Sequence, residues 1–314
     1  MGSDSFSLPV FSQLLNAGPH LPRPVETVAV VTQPDRPAGR GRKEIVNFVK
    51  ALAIEHGLDV LQPQRLRDPN EQLALASLGP DVIVVASFGQ ILRTSLLELP
   101  RYRCLNLHPS LLPLYRGPSP VVGPLLAGDR VTGTSLMLME TAMDAGPLLG
   151  QVRTEIGDGE TASHLLGRLA EMSGDLLIDR LPAWIDGEIV PQAQDEASAT
   201  FTSKIRKEDG VVDWTLDAES IARRVRAYNP WPGAFTHWNG RQLRILEASP
   251  GAGRLAPGVV RGLTYSHLVV GTGRGLLLIW RLQIAGGKPL DARSFVHGHP
   301  SILGQQLHVE APWS

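Results

Sequence analysis

The sequence predicts an α/β domain with a doubly wound, mostly parallel sheet, followed by a small β-barrel. In the first half, apolar runs such as TVAVVT at 27–32 and DVIVVAS at 81–87 alternate with helix-like segments. Strands that are apolar throughout are typical of parallel sheets with helices on both faces. Near the C-terminus, short strand-like runs alternate with Gly and Pro turns, a pattern typical of a small closed β-barrel.

The expected elements follow from apolar periodicity along the chain. In the first domain we expect strands at 27–32, 58–61, 81–87, 103–108, 135–140 and 147–154, and helices at 44–56, 70–78, 90–97 and 162–184. In the second we expect a helix at 218–227 and strands at 234–238, 243–248, 258–260, 267–271 and 276–283. Residues 188–207 are polar and irregular, so we expect a linker between domains at 1–187 and 208–314.

The composition excludes several classes of protein. The 314 residues include one cysteine, so a disulfide framework is impossible and a reducing compartment is expected. No apolar run approaches the roughly 18 residues of a membrane span. The first ten residues lack the basic and apolar regions of a secretory signal. We therefore expect a cytoplasmic protein that does not bind membranes.

Charge is unevenly distributed along the chain. Residues 1–200 hold 16 Lys and Arg against 23 Asp and Glu, a net −7, whereas residues 201–314 hold 14 against 8, a net +6. A basic C-terminal part indicates a polyanionic partner. Chance segregation of charge explains the same numbers, and charge alone does not separate the two interpretations.

Three polar residues carry the predicted chemistry. Asn106 and His108 are two apart on a predicted strand, so their side chains lie on the same face, at the strand end where doubly wound sheets form their sites. Taken alone, such a pair is more often structural, and Asp144 in MDAG fits a turn. Together, an amide, an imidazole and a carboxylate suit an acyl transfer, because they can hold an oxyanion and move a proton.

These motifs resemble those of the 10-formyltetrahydrofolate-dependent formyltransferases. The matching site motifs are Asn106-x-His108, Ser110-Leu-Leu-Pro113, Arg116-Gly117, Pro120 and Asp144-x-Gly146. Further matching segments are TQPDRPAGRGR at 32–42, LQPQRLRD at 61–68, SKIRKEDGVVDW at 203–214 and YNPWPGAF at 228–235. The resemblance implies a Rossmann-like formyltransferase domain and an OB-like barrel, with Asn106, His108 and Asp144 as catalytic residues.

The resemblance also implies where the formyl donor, 10-formyltetrahydrofolate, binds. It implies that residues after two predicted strands line the folate pocket: Phe88, Gly89, Gln90, Ile91 and Leu92, together with Ser110, Leu111, Leu112 and Pro113. Two purely structural interpretations fit equally well. Residues 88–92 could pack at the start of a helix, and residues 110–113 could be a plain connection that ends at a proline.

The acceptor implied by the resemblance is the amino group of methionyl initiator tRNA. Two sets of basic residues are expected to bind the tRNA: Arg36, Arg40, Arg42 and Lys43 in a Gly- and Pro-containing loop, and Lys204, Arg206 and Lys207 in and after the linker. A solvated loop is the alternative for the first set. Formyl transfer to a small amine, such as a glycinamide ribotide or an amino sugar, and an RNA-binding homologue with impaired catalysis remain alternatives for the whole chain.

Three further expectations concern the start of the chain, metals and assembly. Relatives in this family carry a central strand before the Met-Gly that stands at 1–2 here, so we expect the natural start a few codons upstream, and Ser3–Ser7 departs from the family's usual sequence. His297 and His299 have no companion ligands, so we expect a surface loop and no metal. We expect a monomer.

Overall fold

The structure is a computed structural model that describes residues 1–38, 43–45 and 47–307, with only the backbone of 36–38 and 43–45. The chain divides into two compact units. Unit 1 comprises Met1–Pro120, Val131–Glu155 and Leu166–Thr202, and unit 2 comprises Val121–Arg130, Ile156–Leu165 and Ser203–Ser314.

The elements of the first 185 residues are α1 (Ser7–Ala17), β1 (Val30–Val31), β2 (Arg36–Ala38), β3 (Lys43–Ile45), α2 (Phe48–Glu55), β4 (Val60–Leu61), α3 (Pro69–Ala76), β5 (Ile83–Ala86), α4 (Thr94–Leu97), β6 (Cys104–His108), α5 (Val122–Ala127), β7 (Val131–Leu138), β8 (Leu148–Glu155) and α6 (Ala162–Ile185). The predicted strands of this region are all present, and most are shorter than expected. Helix α1 and the hairpin of β2 and β3 are not expected from the apolar periodicity.

The helix expected from residue 44 begins at Phe48 instead. The side chain of Asn47 accepts a hydrogen bond from the backbone N–H of Val49 at 2.9 Å, so Asn47 is the N-cap of α2. Lys43–Ile45 pairs antiparallel with Arg36–Ala38 and is therefore extended. Asn strongly favours the N-cap position, and this local preference sets the helix start.

The main sheet of unit 1 is mixed, with strand order β5-β6-β7-β8. β5 and β6 are parallel, whereas β7 runs antiparallel to both β6 and β8. β1 and β4 form a separate parallel pair. Gly2 connects the two sheets, because its N–H donates to Val31 and it bridges in parallel to Ala86. The α/β class predicted from the sequence is confirmed for this unit, and its main sheet is mixed, with one parallel and two antiparallel pairings.

Strand β6 separates two apolar cores. Leu105 and Leu107 are buried in a core that includes residues of α1 and α6. Cys104 is buried on the other side, against Phe88 and Leu96. Because side chains alternate along a strand, Asn106 and His108 share the Cys104 side. The Cys104 thiol donates to the carbonyl of Leu96 at 3.4 Å, and burial raises its pKa to about 12, so it is an inert packed group.

The later elements are α7 (Ala218–Ala227), β9 (Ala234–Trp238), β10 (Arg241–Gly251), β11 (Val260–Thr264), β12 (His267–Gly271), β13 (Leu276–Ile284), β14 (Leu290–Asp291) and α8 (Ala292–Gly298). The strands form one antiparallel sheet in the order β11-β12-β13-β10-β9, and β14 pairs with β13. The β-rich second domain predicted from the sequence is confirmed. Within the described residues no pairing joins β11 to β9, so the sheet is open where the sequence predicts a closed barrel.

The expectation of a surface loop at His297 and His299 is wrong. His297 lies in the last turn of α8, and His299 caps it. The His299 ring packs against Phe295 in a tilted arrangement and against Trp238 in a T-shaped one, with centroid distances of 4.7 and 5.7 Å. Separately, none of the helices in the described ranges has the length and apolar character that crossing a bilayer requires.

The N-cap of α7 gives a stability prediction. The Asp217 side chain accepts from the Ser220 N–H at 2.9 Å, and this bond holds the pKa of Asp217 below its ordinary 3.8. Asp217→Ala should cost about 1 kcal/mol and lower the apparent Tm by about 2–4 °C in thermal unfolding. Because the pKa is lowered in the folded state, the cap contributes above about pH 4. The difference from wild type should therefore shrink as the pH falls below that value.

A matched control is Asp158→Ala, at an exposed aspartate that accepts no hydrogen bond from the described residues. It should leave the Tm close to wild type. Equal Tm values for the two variants at neutral pH would contradict the capping role.

Candidate active site

Asn106 and His108 lie at the carboxyl end of β6, between β5 and β7. His108 pairs in register with Ser135 of β7, and its side chain is buried. Asn106 is half-buried, and its carboxamide has no hydrogen-bond partner among the described residues. A half-buried amide without a protein partner is free to bind a substrate group.

The surroundings of His108 fix the roles of its ring nitrogens. Nε2 lies 3.0 Å from the backbone carbonyl oxygen of Tyr115. A carbonyl can only accept, so Nε2 carries a proton and donates it to Tyr115. Nδ1 faces Asp144 instead, 3.8 Å from its Oδ2. Nδ1, which lies beside the Asp144 carboxylate, is therefore the ring nitrogen that can take part in a reaction.

Asp144 reaches this position through an unusual backbone conformation. Its φ is +53°, in the left-handed region, which aspartate tolerates better than most residues. Oδ2 accepts from the backbone N–H of Gly117 at 2.8 Å. The turn is also tight, because a Cβ on Gly146 would lie 1.9 Å from the carbonyl oxygen of Leu138. The structure thus brings Asp144 to the imidazole from 36 residues further along the chain.

A buried arginine beside the site is a feature that the sequence analysis missed. The Arg116 guanidinium is 2% exposed and donates to Gln194 and Glu196. The Gln194 amide in turn donates to the carbonyls of Asp144 and Gly146. Arg116-Gly117 is part of the motif quoted above, but Gln194 lies in a stretch whose composition predicts only a linker, so no local signal identifies it.

The end of that stretch is tied to the same region. Residues 200–202 run alongside Arg116: its N–H donates to Thr200 at 2.9 Å, and its carbonyl accepts from the N–H of Thr202 at 2.8 Å. Thr200 Oγ1 also accepts from the Tyr115 N–H at 2.8 Å. Residues 115–117 are thereby held by main-chain bonds on one side, and they contact His108 and Asp144 on the other.

The residues predicted to line a folate pocket fall into two groups. Phe88 and Leu92 are packed in an apolar core, and Leu112 is buried as well. Ile91 is 88% exposed, and Gly89 is exposed as well.

The polar side chains of this set are already hydrogen-bonded to backbone groups. Gln90 accepts from the Leu66 N–H and donates to the Pro63 carbonyl. The Ser110 hydroxyl donates to the Leu114 carbonyl at 2.6 Å. A folate contact at Gln90 would therefore use the main chain. The Ser110 main chain is itself engaged, because its N–H donates to the His108 carbonyl and its carbonyl accepts from the Ser135 hydroxyl.

The predicted tRNA-binding residues lie in both units. Arg40 and Arg42 fall outside the described residues, and the structure describes Arg36 and Lys43 only as backbone of the β2–β3 hairpin. Lys204, Arg206 and Lys207 belong to unit 2 and are exposed. Exposed cations without buried partners are available to phosphates.

Two other features of the molecule are separate from this site. In unit 1, residues 24–31 and 80–84 line much of a cavity of about 520 Å³, and none of Asn106, His108 and Asp144 lines it. Among the described residues, no group of three or more His, Cys, Asp or Glu side chains is arranged to hold a metal ion.

The chain belongs to the formyl transferase family. The family model described as "Formyl transferase" matches residues 4–181, and "Formyl transferase, C-terminal domain" matches residues 204–300. Similar curated proteins are named methionyl-tRNA formyltransferase. The protein of Chloroflexus aurantiacus is 45% identical, with 95% of each chain covered. That of Methylococcus capsulatus is 43% identical, over 98% of this chain and 97% of the relative.

Solved structures share the fold at low sequence identity. The Helicobacter canadensis N-formyltransferase, in complex with folinic acid and dTDP-3-aminofucose, has a TM-score of 0.65 at 15% identity, covering 88% of this chain and 96% of that one. HypX of Aquifex aeolicus, in complex with tetrahydrofolic acid, has a TM-score of 0.57 at 20% identity. The match covers 77% of this chain but only 43% of HypX, so this chain spans less than half of that protein.

The Gly117 backbone gives a second prediction. Gly117 has a φ of +104°, and a Cβ there would lie 2.8 Å from the carbonyl oxygen of Thr202. Gly117→Ala should therefore lower the Tm through both backbone strain and a clash. Gly159→Ala is the matched control, since Gly159 has a φ of +77° with no atom near its Cβ position. Thermal unfolding should show the larger loss for Gly117→Ala, and equal losses would contradict the close approach of Thr202.

Proposed function

We propose that this chain transfers a formyl group from 10-formyltetrahydrofolate to the α-amino group of methionyl initiator tRNA. The observation that carries the proposal is the convergence of three groups: the unpartnered Asn106 carboxamide, and His108 Nδ1 at 3.8 Å from Asp144 Oδ2. An amide donor, an imidazole and a carboxylate are the groups that formyl transfer between two amines requires.

The reaction forms one bond and breaks another. The amine nitrogen of the acceptor attacks the formyl carbon, and the carbonyl oxygen gains negative charge. That charge collapses as the bond from the formyl carbon to N10 of the folate breaks, and the proton released by the amine ends on N10. The protein must stabilise the oxygen and move that proton.

The geometry assigns a role to each residue. The Asn106 N–H₂ is a donor for the developing oxyanion, and protonated Nδ1 of His108 is a second one. The Asp144 carboxylate stabilises positive charge on the ring by Coulomb attraction at 3.8 Å. Because 3.8 Å is too long for a direct hydrogen bond, a water molecule that lies to one side and bonds to both atoms can relay the proton.

The folate fits the accessible part of the loop after β5. The exposed Ile91 side chain and the backbone of 88–92 offer an apolar and hydrogen-bonding surface for a flat ring, and the backbone of Ser110–Pro113 is proposed to border it. Two structural neighbours support this choice of donor, because one is described in complex with folinic acid and the other in complex with tetrahydrofolic acid.

A tRNA acceptor is favoured over a small amine by two features. The relatives above 40% identity are named as methionyl-tRNA enzymes over almost their full length. The chain also carries a net +6 after residue 200, which a small substrate does not need but a phosphate backbone does. We propose that Arg36, Arg40, Arg42, Lys43, Lys204, Arg206 and Lys207 contact the tRNA.

The proposal also covers the roles of the two domains, the oligomeric state and the cellular compartment. We propose that the domain at 1–187 carries the catalytic residues and that the domain at 208–314 adds tRNA-binding surface to the basic residues named above. The ends of the two family models at 181 and 204 support a boundary within or next to the stretch 188–207. One chain supplies all three catalytic groups, so a monomer suffices. We propose a cytoplasmic location, because a tRNA acceptor used to start translation is available there.

The substrate assay tests this function directly. Purified protein is given labelled 10-formyltetrahydrofolate with methionyl initiator tRNA, charged elongator tRNA, or small amines. Transfer to the initiator tRNA is expected to exceed transfer to every other acceptor. Transfer to a glycinamide ribotide or an amino sugar but not to tRNA would overturn the proposal, and RNA binding without any transfer would favour an impaired homologue.

The proposed tRNA contacts of unit 2 predict a salt effect. Each phosphate contact adds about 0.7–0.9 to the slope of log affinity against log salt. Replacing Lys204, Arg206 and Lys207 with alanine should raise the KM for tRNA and flatten its salt dependence, with the KM for the folate unchanged. Lys288→Ala, an exposed cation of the same unit, is the control. An unchanged salt slope in the triple variant would contradict these contacts.

A further inference from the structure

The proposed reaction uses neither the buried arginine of unit 1 nor its partners. Nε and Nη2 of Arg116 donate to Gln194 Oε1 at 3.1 and 2.8 Å. Nη1 and Nη2 donate to the two carboxylate oxygens of Glu196 at 2.9 and 2.7 Å. Because these bonds satisfy a guanidinium that is 2% exposed, they fix Arg116 firmly in place. The Glu196 pairing also raises the pKa of Arg116, so it stays charged.

Arg116 determines how the Gln194 amide points. An arginine can only donate, so the atom of Gln194 that faces it must be the oxygen. The amide nitrogen therefore points to the other side. There Nε2 donates to two carbonyl oxygens, those of Asp144 at 2.9 Å and Gly146 at 2.7 Å. The Gln194 side chain is itself 9% exposed.

The two carbonyls bracket the turn that carries the Asp144 carboxylate. A non-glycine residue at a φ of +53° costs about 1 kcal/mol, so this turn requires support from outside itself. Within the described residues the Gln194 amide bridges the two carbonyls and supplies that support. The carboxylate leaves the same turn toward Gly117 and His108.

We infer that Gln194 is a positioning residue for the proposed formyl transfer: locked by Arg116, it holds the Asp144 turn so that the carboxylate faces His108 Nδ1. The inference rests on the proposed function, because it gives Asp144 a role in the reaction. Gln194 touches no reacting group, so its effect passes entirely through Asp144. Displacements of about 1 Å in such a group cost about a hundredfold in rate.

The first test separates positioning from binding. Gln194→Glu keeps the size of the side chain and an oxygen for Arg116, but it replaces the amide donor with an acceptor. We expect kcat to fall tenfold to a hundredfold, with KM for the folate and for charged tRNA within about twofold of wild type. Gln194→Leu removes both contacts, and it should likewise lower kcat while leaving both KM values close to wild type. Gln192→Leu is the control at an exposed glutamine two residues away, and it should behave as wild type.

The second test asks whether Gln194 acts through Asp144. In an Asp144→Asn background, Gln194→Glu should cause no further loss, because the group that it positions has lost its charge. Multiplicative losses in the double variant would overturn the inference. Wild-type kcat in a folded Gln194→Glu protein would also overturn it, and so would failure of both Gln194 variants to fold, since the residue would then act only in stability.

The outcomes distinguish this inference from the proposed function. If Asp144→Asn alone keeps wild-type turnover, the proposed role of Asp144 fails and the inference fails with it. If Asp144→Asn loses turnover while Gln194→Glu keeps it, the proposed function stands and only the inference fails.

Discussion

The site depends on one buried meeting point, where the Asp144 carboxylate accepts the Gly117 N–H and faces the His108 imidazole. Two segments that are far apart in sequence, residues 108–117 and the turn that carries Asp144, have to meet there. A carboxylate and an imidazole in a half-buried corner are costly unless their polar atoms are satisfied. The structure meets that cost mostly with backbone groups, from Gly117 for the carboxylate and from Tyr115 for Nε2.

This arrangement explains why the chain after α6 is integral to the site. Residues 194–202 hold residues 115–117 through main-chain bonds to Thr200 and Thr202, and hold the Asp144 turn through Gln194. Among the described residues, His108 and Asp144 are each other's only ionisable side-chain contact within 4 Å. The buried Arg116 guanidinium acts directly on Asp144 only through a longer-range Coulomb interaction. The geometry of the site is therefore set mostly by hydrogen bonds to rigid backbone.

The sequence predicts the parts of this arrangement that follow local rules. The face shared by Asn106 and His108 follows from strand alternation, and the strand β6 that carries them follows from its apolar neighbours. The start of α2 at Phe48 is set by a cap that periodicity overlooks. The Gln194 contact joins residues 50 positions apart in an irregular stretch, so neither composition nor periodicity can reveal it. The direction of β7 depends in the same way on long-range pairing.

The most direct test of the account is the single-turnover rate of His108→Ala with saturating 10-formyltetrahydrofolate and methionyl initiator tRNA. The account predicts a fall of about 10²–10⁴, because the variant loses an oxyanion donor and a proton carrier together. Thermal unfolding should show that the variant remains folded, so that the fall reports chemistry. A single-turnover rate close to that of the wild type would contradict the account.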